Sequence, residues 1–183
     1  MKNNKLHTKN LTLIALMTAV LCIVSPFAVP IGLSPVPVTF CTLAIYLSVF
    51  VLGMKRGAIS CILYILLGLV GLPVFSGFLG GAGTLLGPTG GYLIGYIFIA
   101  LIAGTFIDKR TGKWYVCLLG MVCGTAVCYL FGTLWLAYQM QLDLFSAAAI
   151  GVLPYIPADL IKMVLAMLIG TPVRKSLNRA HLL

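Results

Sequence analysis

Residues 114–138 read WYVCLLGMVCGTAVCYLFGTLWLAY, an apolar run without a charged side chain that directly follows Lys113. At about 1.5 Å per residue, a helix over this run is long enough to cross the roughly 30 Å of hydrocarbon in a bilayer. The stretch therefore predicts a membrane-spanning helix.

The rest of the chain has the same character. Of its 183 residues, 61% are hydrophobic and only 8% are charged, and the mean hydropathy is +1.13. A soluble domain of this size could not bury so much apolar surface. We therefore predict a single integral membrane domain over residues 1–183, an all-α bundle of six transmembrane helices at about residues 11–30, 38–54, 57–72, 90–107, 114–138 and 145–171.

The basic residues indicate how these segments are oriented. All but one of them fall in four clusters at segment ends: Lys2, Lys5 and Lys9; Lys55 and Arg56; Lys109, Arg110 and Lys113; and Arg174, Lys175 and Arg179. The other connections contain no lysine or arginine. Because basic loops stay on the cytoplasmic side, the pattern predicts a multi-pass protein of the cell membrane with both termini in the cytoplasm. The net charge of +9 lies at membrane boundaries rather than along one stripe, so nucleic-acid binding is not predicted.

Two of the connections without basic residues have an unusual composition. Residues 30–37 are proline-rich and apolar, which predicts a stiff loop packed against the bundle. Residues 76–91 are rich in glycine, which fits a lid or a re-entrant segment over a pocket. No Gly-Lys-Ser/Thr follows them, so a nucleotide-binding P-loop is not predicted. The six cysteines lie in apolar runs without metal-ligand spacing and are interpreted as small buried hydrophobes.

The remaining basic residue, Lys162, lies inside an apolar run, three residues after Asp159, in the sequence PYIPADLIK at 154–162. Residues at i, i+4 and i+7 share a helix face, so Tyr155, Asp159 and Lys162 line one side. Charged side chains in a spanning segment are costly and mark a place where a protein handles something polar. The pattern predicts a polar binding site in the outer half of the bundle. A buried ion pair that only ties the last helix to the bundle is the alternative.

Aromatic side chains gather near the outer ends of the segments. Some of them belong to an interfacial belt, and others can wall a pocket for a partly apolar ring. The candidates for the pocket are Phe75, Phe78, Tyr92, Tyr138 and Tyr155. Motifs such as H-E-x-x-H and G-x-S-x-G are missing, and both histidines lie in the polar tails, so an enzyme is not predicted.

Three stretches together resemble the BioY family: SPVPVT at 34–39, FSGFLGGAGTLLGPTGGYLIGY at 75–96 and PYIPADLIK at 154–162. The resemblance covers nearly the whole chain. BioY proteins are the biotin-binding S components of energy-coupling factor (ECF) transporters. The resemblance therefore implies a six-helix bundle with a high-affinity biotin pocket near the outer face. It also implies a transmembrane coupling protein and two ATPase subunits as partners, which use ATP, whereas this chain needs no cofactor or metal.

The resemblance also assigns roles to particular residues. In this transporter class an Ala-x-x-x-Ala on the first helix docks to the coupling protein, and Ala15 and Ala19 match it. Asp159 and Lys162 are about 5–6 Å apart on a helix face, which is too close to hold both ends of biotin. Both are therefore expected to bind the ureido head. The valerate carboxylate is then expected to meet Thr89 or backbone N–H groups of the glycine-rich loop, including those of Gly90 and Gly91.

Alternatives stay open at this point. Lys162 can instead bind the carboxylate of biotin. The chain can also be a stand-alone facilitator that needs no ATPase, or an S component for another vitamin, such as a thiamin- or riboflavin-type substrate.

Overall fold

A computed structural model describes residues 2–32, 35–109 and 113–180. Ser34 and Arg110, predicted in an outer loop and in a basic cluster, lie outside these ranges. The elements in chain order are α1 Lys2–Val24, β1 Ala28–Val29, β2 Val38–Thr39, α2 Cys41–Leu69, a 3-10 turn Ser76–Phe78, α3 Ala82–Leu85, α4 Gly90–Lys109, α5 Trp114–Met140, α6 Leu144–Gly151 and α7 Ile156–Arg179. Of these, α2, α4, α5 and α7 are long and apolar enough to cross a membrane, and Thr8–Val24 is a shorter apolar helix. The prediction of a helical membrane protein is confirmed.

The second and third predicted segments form one element, α2, which reverses direction at Gly53. This residue has φ 78° and ψ 179°, a conformation that is available essentially to glycine alone. The arms on either side, residues 41–52 and 54–69, pack against each other. A Cβ atom on Gly57 would lie only 3.2 Å from the Cα atom of Val49, a contact that a straight helix does not allow.

The last predicted segment is one helix over residues 145–171, whereas the structure has two helices, α6 and α7, separated by a turn at 152–155. The difference follows from two prolines. Pro154 lies in the turn, and Pro157 lies in the first turn of α7. A proline lacks the backbone N–H and restricts the residue before it, so a helix does not continue through this sequence. α7 then runs past residue 171 to Arg179.

Glycines bring α4 into backbone contact with both α5 and α2. A Cβ atom on Gly95 would lie 3.0 Å from the Cα atom of Cys128 in α5, and one on Gly104 would lie 2.5 Å from the Cα atom of Met54 in α2. Small residues at such positions allow membrane helices to approach closely. α4 therefore packs closely between α5 and α2.

Basic residues from three helices gather at one end of the bundle, which we call the basic end. Asp108, near the end of α4, accepts a hydrogen bond from the backbone N–H of Met54 at 2.7 Å. Arg174 of α7 donates to the same carboxylate at 2.8 Å. These contacts tie the turn of α2 and the last part of α7 to α4. The cations in this region are Lys55, Arg56, Lys109 and Arg174.

The opposite end of the bundle carries the β1–β2 hairpin and the glycine-rich segment, and we call it the loop end. The strands pair antiparallel, with Ala28 opposite Thr39. The indole N–H of Trp135 donates to the carbonyl of Gly87 at 2.9 Å, and the N–H of Gly77 donates to the carbonyl of Pro26 at 2.9 Å. The glycine-rich segment is thus held against α5 and against the chain that follows α1.

Candidate functional site

Asp159 and Lys162 lie in the first turns of α7, and both are buried. Pro157 precedes them at a position where a missing N–H costs little, because the first helical N–H groups have no partner within the helix. The N-terminus of a helix also favours a carboxylate. The Lys162 Nζ atom lies 2.8 Å from Asp159 Oδ1. The spacing in the sequence thus produces a direct ion pair within one helix.

Side chains from two other helices complete the hydrogen bonding of this pair. Thr42 of α2 donates to Asp159 Oδ1 at 3.2 Å and accepts from Lys162 Nζ at 3.1 Å. Tyr129 of α5 donates to Asp159 Oδ2 at 2.5 Å. A buried ion pair is costly unless further hydrogen bonds satisfy its polar atoms. Thr42 and Tyr129 supply those bonds and connect α2, α5 and α7 around the pair.

These polar groups line a cavity whose walls are otherwise mainly apolar and aromatic. The cavity has a volume of about 40 Å³. The cavity is therefore narrow in this conformation. A few convergent polar groups within apolar walls are typical of a small-molecule site. The lining residues are Val36, Pro37, Thr39, Thr42, Tyr92, Tyr96, Ile99, Thr125, Cys128, Tyr129, Gly151, Tyr155, Asp159 and Lys162.

Two tyrosine hydroxyls hold the cavity wall together at the loop end. Tyr155, in the turn before α7, donates to the carbonyl of Val36 in the proline-rich loop. Tyr92 of α4 donates to the carbonyl of Gly151 at the end of α6 at 2.9 Å. Both tyrosines are buried. They therefore position the proline-rich loop and the end of α6 beside the ion pair.

The ion pair keeps hydrogen-bonding capacity for a ligand. A lysine ammonium carries three N–H donors, and contacts to Asp159 and Thr42 use two of those on Lys162. A carboxylate has about four acceptor positions, and Lys162, Thr42 and Tyr129 occupy three of them on Asp159. Among the described contacts, one cationic donor on Lys162 and one acceptor position on Asp159 Oδ2 thus remain. Such a pair suits a ligand with an adjacent carbonyl and N–H, as in a cyclic urea.

Comparisons with known proteins show which family the chain belongs to. The model of the BioY family matches residues 1–179. The chain belongs to the BioY family. It is 38% identical over 161 residues to the biotin transporter BioY of Thermotoga maritima, covering 87% of this chain and 92% of that one. It is 34% identical over 181 residues to the biotin transporter BioY2 of Lactococcus lactis subsp. cremoris, covering 99% and 97% of the two chains.

A solved structure has the same fold. It is the crystal structure of the S-component for biotin from an ECF-type ABC transporter, which matches with a TM-score of 0.87 at 35% sequence identity. The match covers 96% of this chain and 95% of that one. The resemblance predicted from the three sequence stretches is confirmed. BioY proteins are transporters, which also confirms that the chain belongs to no enzyme family.

The structure brings four of the predicted site residues of this BioY-family chain to the cavity: Asp159, Lys162, Tyr155 and Tyr92. Thr89 lines a neighbouring groove instead, between the hairpin and the 3-10 turn. Pro37 lines both the groove and the cavity, so the two spaces adjoin each other. Thr89 is therefore near the cavity without lining it.

The predicted glycines of the loop, Gly90 and Gly91, serve close packing. A Cβ atom on Gly90 would lie 1.7 Å from the carbonyl oxygen of Leu85, and one on Gly91 would lie 2.3 Å from the Cβ atom of Trp135. Neither glycine lines the cavity in the described part of the chain. They set the start of α4 against α5.

Three predicted aromatic residues lie away from the cavity. Phe75 is buried in the core, with its ring centroid 5.6 Å from that of Tyr64. Phe78 and Tyr138 are 60% and 79% exposed, and they pack beside Phe27 and Trp135. Phe78 and Tyr138 thus resemble members of an interfacial belt more than ligand contacts.

Thr42 and Tyr129 are the site residues that sequence reasoning missed. Each is one of several uncharged polar residues in a long apolar run, and such residues often serve the helix itself. Thr18 and Thr125, for example, donate to backbone carbonyls four residues earlier in their own helices. The sequence offers no signal that separates these two kinds of buried polar residue.

Ala15 and Ala19 lie on a face of α1 that is directed away from the bundle. Both are exposed, as are Leu11 and Ile23 at the same helical spacing. The opposite face of α1 is buried and consists of Ile14, Thr18 and Leu21. An apolar strip, which we call the alanine face, is thus formed by Leu11, Ala15, Ala19 and Ile23.

Proposed function

We propose that this chain is the high-affinity biotin-binding S component of an ECF-type importer. The observation that carries the proposal is the buried Asp159–Lys162 pair, which offers an acceptor beside a donor inside a narrow cavity. Membership of the BioY family and the likeness to an S-component for biotin support the choice of ligand. Biotin carries a ureido ring, in which one carbonyl lies between two N–H groups.

In the proposed complex the ion pair binds the ureido head. Lys162 donates its remaining N–H to the ureido oxygen, and Asp159 Oδ2 accepts from a ureido N–H. Both are charge-assisted hydrogen bonds, which are stronger than neutral ones. Thr42 and Tyr129 keep the two charged groups in place, so little rearrangement of the pair is needed. The apolar thiophane ring then lies against the aromatic walls.

The valerate tail extends towards the groove that contains Thr89. The connections at the loop end contain no lysine or arginine, so the donors available to the carboxylate are hydroxyl and backbone N–H groups. The Thr89 hydroxyl and the N–H groups of the glycine-rich segment lie on that side. In the reverse orientation Lys162 pairs with the carboxylate instead.

Calorimetry on the purified protein with three ligands tests both the ligand and its orientation. Biotin is expected to bind tightly, and biotin methyl ester is expected to keep its affinity within a few-fold because the tail charge meets no cation. 2-Iminobiotin is expected to bind far more weakly when protonated, since its guanidinium offers only donors to Lys162. No binding of biotin would refute the proposal, and a large loss with the methyl ester would establish the reverse orientation.

The proposed topology has six membrane-crossing segments with both termini in the cytoplasm. The reversal of α2 at Gly53 supports the count, and the convergence of cations at the basic end supports the orientation. Labelling of intact cells with an impermeant maleimide tests it. We expect Gln141→Cys at the loop end to react, and Asn178→Cys to react only after lysis. The opposite pattern would reverse the orientation.

The proposed partners are a transmembrane coupling protein, docked on the alanine face, and two ATPase subunits that use ATP. Ala15→Trp is expected to abolish co-purification with the coupling protein while leaving biotin affinity unchanged, because the residue lies far from the cavity on an exposed face. Leu16→Trp, at an exposed position beside this strip, is the matched control and should affect neither property. Equal effects of the two variants would exclude the alanine face as the docking site.

A further inference from the structure

A groove at the basic end is unrelated to the biotin cavity. Its volume is about 470 Å³, and it lies between the turn of α2 and the end of α4. Leu52 and Met54 supply apolar surface, and Lys55, Arg56 and Lys109 supply positive charge. We call it the basic groove.

Among the described residues, the three cations of the basic groove have no acidic side chain of their own as a partner. The sequence contains only three acidic residues, Asp108, Asp143 and Asp159. Asp108 also lines the groove, but Arg174 pairs with it at 2.8 Å. Asp159 pairs with Lys162, and Asp143 lies at the start of α6. No acidic side chain is therefore left to neutralise the three cations of the groove.

A partly apolar channel, with Phe106 and Val116 as its apolar walls, adjoins the basic groove. It has a volume of about 210 Å³ and runs between α4 and α5, lined by Thr105, Phe106, Lys109 and Val116. Thr105 and Lys109 line both spaces, so the groove and the channel are continuous. Lys109 lies at the end of α4, which is long enough to cross a membrane, and Lys55 and Arg56 lie beside it at the turn of α2, so all three are near the level of lipid headgroups.

We propose that the basic groove binds the headgroup of an anionic glycerophospholipid, with one acyl chain in the adjoining channel. The phosphate oxygens accept hydrogen bonds from Lys55, Arg56 and Lys109. The guanidinium of Arg56 matches a phosphate with two parallel hydrogen bonds. Basic pockets between membrane helices bind anionic headgroups in this way.

The combination of charge and apolar surface selects the occupant. A free phosphate or a nucleotide would meet the same cations but would leave the channel next to Phe106 without a partner. A zwitterionic lipid would fill the channel, but its own ammonium group would oppose the cations. An anionic lipid satisfies both parts of the surface. The lipid site does not involve biotin, so this proposal is tested independently of the proposed function.

Lipid titration of the purified full-length protein in detergent tests the site, with bound lipid counted by native mass spectrometry. Phosphatidylglycerol is expected to bind at least tenfold more tightly than phosphatidylcholine. Soluble glycerol 3-phosphate is expected not to compete at the same concentrations. Equal binding of the two lipids would overturn the proposal, and so would competition by glycerol 3-phosphate, because the occupant would then not need an acyl chain.

A matched pair of double variants locates the site. Lys55→Gln with Arg56→Gln should weaken phosphatidylglycerol binding roughly 25-fold, from about fivefold for each cation. Lys175→Gln with Arg179→Gln removes the same charges from the exposed end of α7 and should change the affinity by no more than about twofold. Equal losses in the two variants would mean diffuse attraction of lipid and no discrete site.

The single variant Lys109→Gln tests the same site independently of whether the double variant folds. Its side chain is exposed and lines both the groove and the channel, and we expect roughly a fivefold loss of phosphatidylglycerol binding. Circular dichroism should show an unchanged helix content. Normal lipid binding by this variant, with loss of the coupling protein instead, would identify the groove as a protein interface and overturn the proposal.

Discussion

Two ion pairs lie on α7, one near each of its ends. Lys162 with Asp159 and Arg174 with Asp108 both have a nitrogen–oxygen distance of 2.8 Å. The exposed fractions of the side chains are 9% and 7% in the first pair and 17% and 37% in the second. Ion pairs of equal length therefore occur in a buried and in a partly exposed environment.

The two pairs also differ in what they connect. Lys162 and Asp159 are one turn apart on the same helix, so their ion pair by itself connects α7 to no other helix. Arg174 and Asp108 join α7 to α4, and Asp108 also holds the turn of α2 through the N–H of Met54. A pair within one helix that is costly to bury, and that needs Thr42 and Tyr129 to satisfy it, fits the proposed ligand binding, whereas the exposed pair joins two helices directly and is better explained by stability.

The largest effect that this comparison predicts is on Asp159. Asp159→Asn removes the anion, leaves the Lys162 ammonium uncompensated in the cavity, and exchanges an acceptor for a partial donor. Removing one partner of a buried, hydrogen-bonded charge contact costs about 2–5 kcal/mol in binding, which corresponds to a loss of biotin affinity of roughly 30- to 5,000-fold. Calorimetric titration of the purified variant measures this loss.

The control for that experiment is the other aspartate. Asp108→Asn makes the same chemical change at the exposed pair and should leave the dissociation constant of biotin within about twofold. If the folded Asp159→Asn variant binds biotin with normal affinity, both pairs are structural. That result would exclude α7 as the position of the binding site.

A smaller effect on binding is expected for Tyr129→Phe. The substitution keeps the ring and removes only the hydroxyl that donates to Asp159 Oδ2. A hydrogen bond to a charged group contributes about 1.5 kcal/mol or more, so biotin affinity should fall roughly tenfold. Tyr155→Phe is a useful comparison, because its hydroxyl bonds to the backbone of Val36 and not to the ion pair. Equal losses would mean that the carboxylate is not the group that Tyr129 positions.

The two pairs were not equally predictable from the sequence. Asp159 and Lys162 stand out because they are charged residues inside an apolar run, and helical spacing is enough to place them together. Arg174 could be assigned only to a basic cluster. Its contact with Asp108 depends on how α4 and α7 pack, and helix packing leaves no such mark in a single sequence. The helical membrane fold follows from hydropathy, whereas the reversal at Gly53 depends on one backbone conformation.

The loop residues show a further limit. Phe78, Tyr138 and Gly91 were predicted at the site because they lie near the loop end and have suitable chemistry. Proximity along a segment does not determine the direction of a side chain. Tyr92, immediately after Gly91, lines the cavity, while Gly91 packs against Trp135. The rotation of α4 about its axis decides this outcome, and its packing against α2 and α5 sets that rotation.

At the exposed pair, Asp108→Asn is expected to lower stability rather than binding. The charge attraction to Arg174 is lost, while the amide can still accept a hydrogen bond from Met54. Exposed ion pairs contribute little, so the free energy of unfolding should fall by about 0.5–1 kcal/mol. Thermal unfolding in detergent measures this, with Asp159→Asn beside it. For Asp108→Asn, a larger drop in biotin affinity than in stability would contradict the division between the two pairs.

The smallest effect is expected at Asp143, the carboxylate without a cationic partner in the described contacts. It caps α6, and hydrogen bonds from the Ser146 side chain and backbone N–H lower its pKa from the ordinary value. The cap therefore stabilises α6 fully above the ordinary aspartate pKa of about 3.9 and is lost as the pH falls through the lower folded pKa. Asp143→Asn keeps a capping oxygen that does not titrate. Hydrogen exchange of the α6 amides should thus accelerate with acid in the wild-type protein beyond the intrinsic pH effect, and not in the variant. Identical pH profiles of the wild-type protein and the variant would show that the Asp143 cap does not stabilise α6. In that case only the two carboxylates paired with a cation, Asp108 and Asp159, would affect the fold or the site.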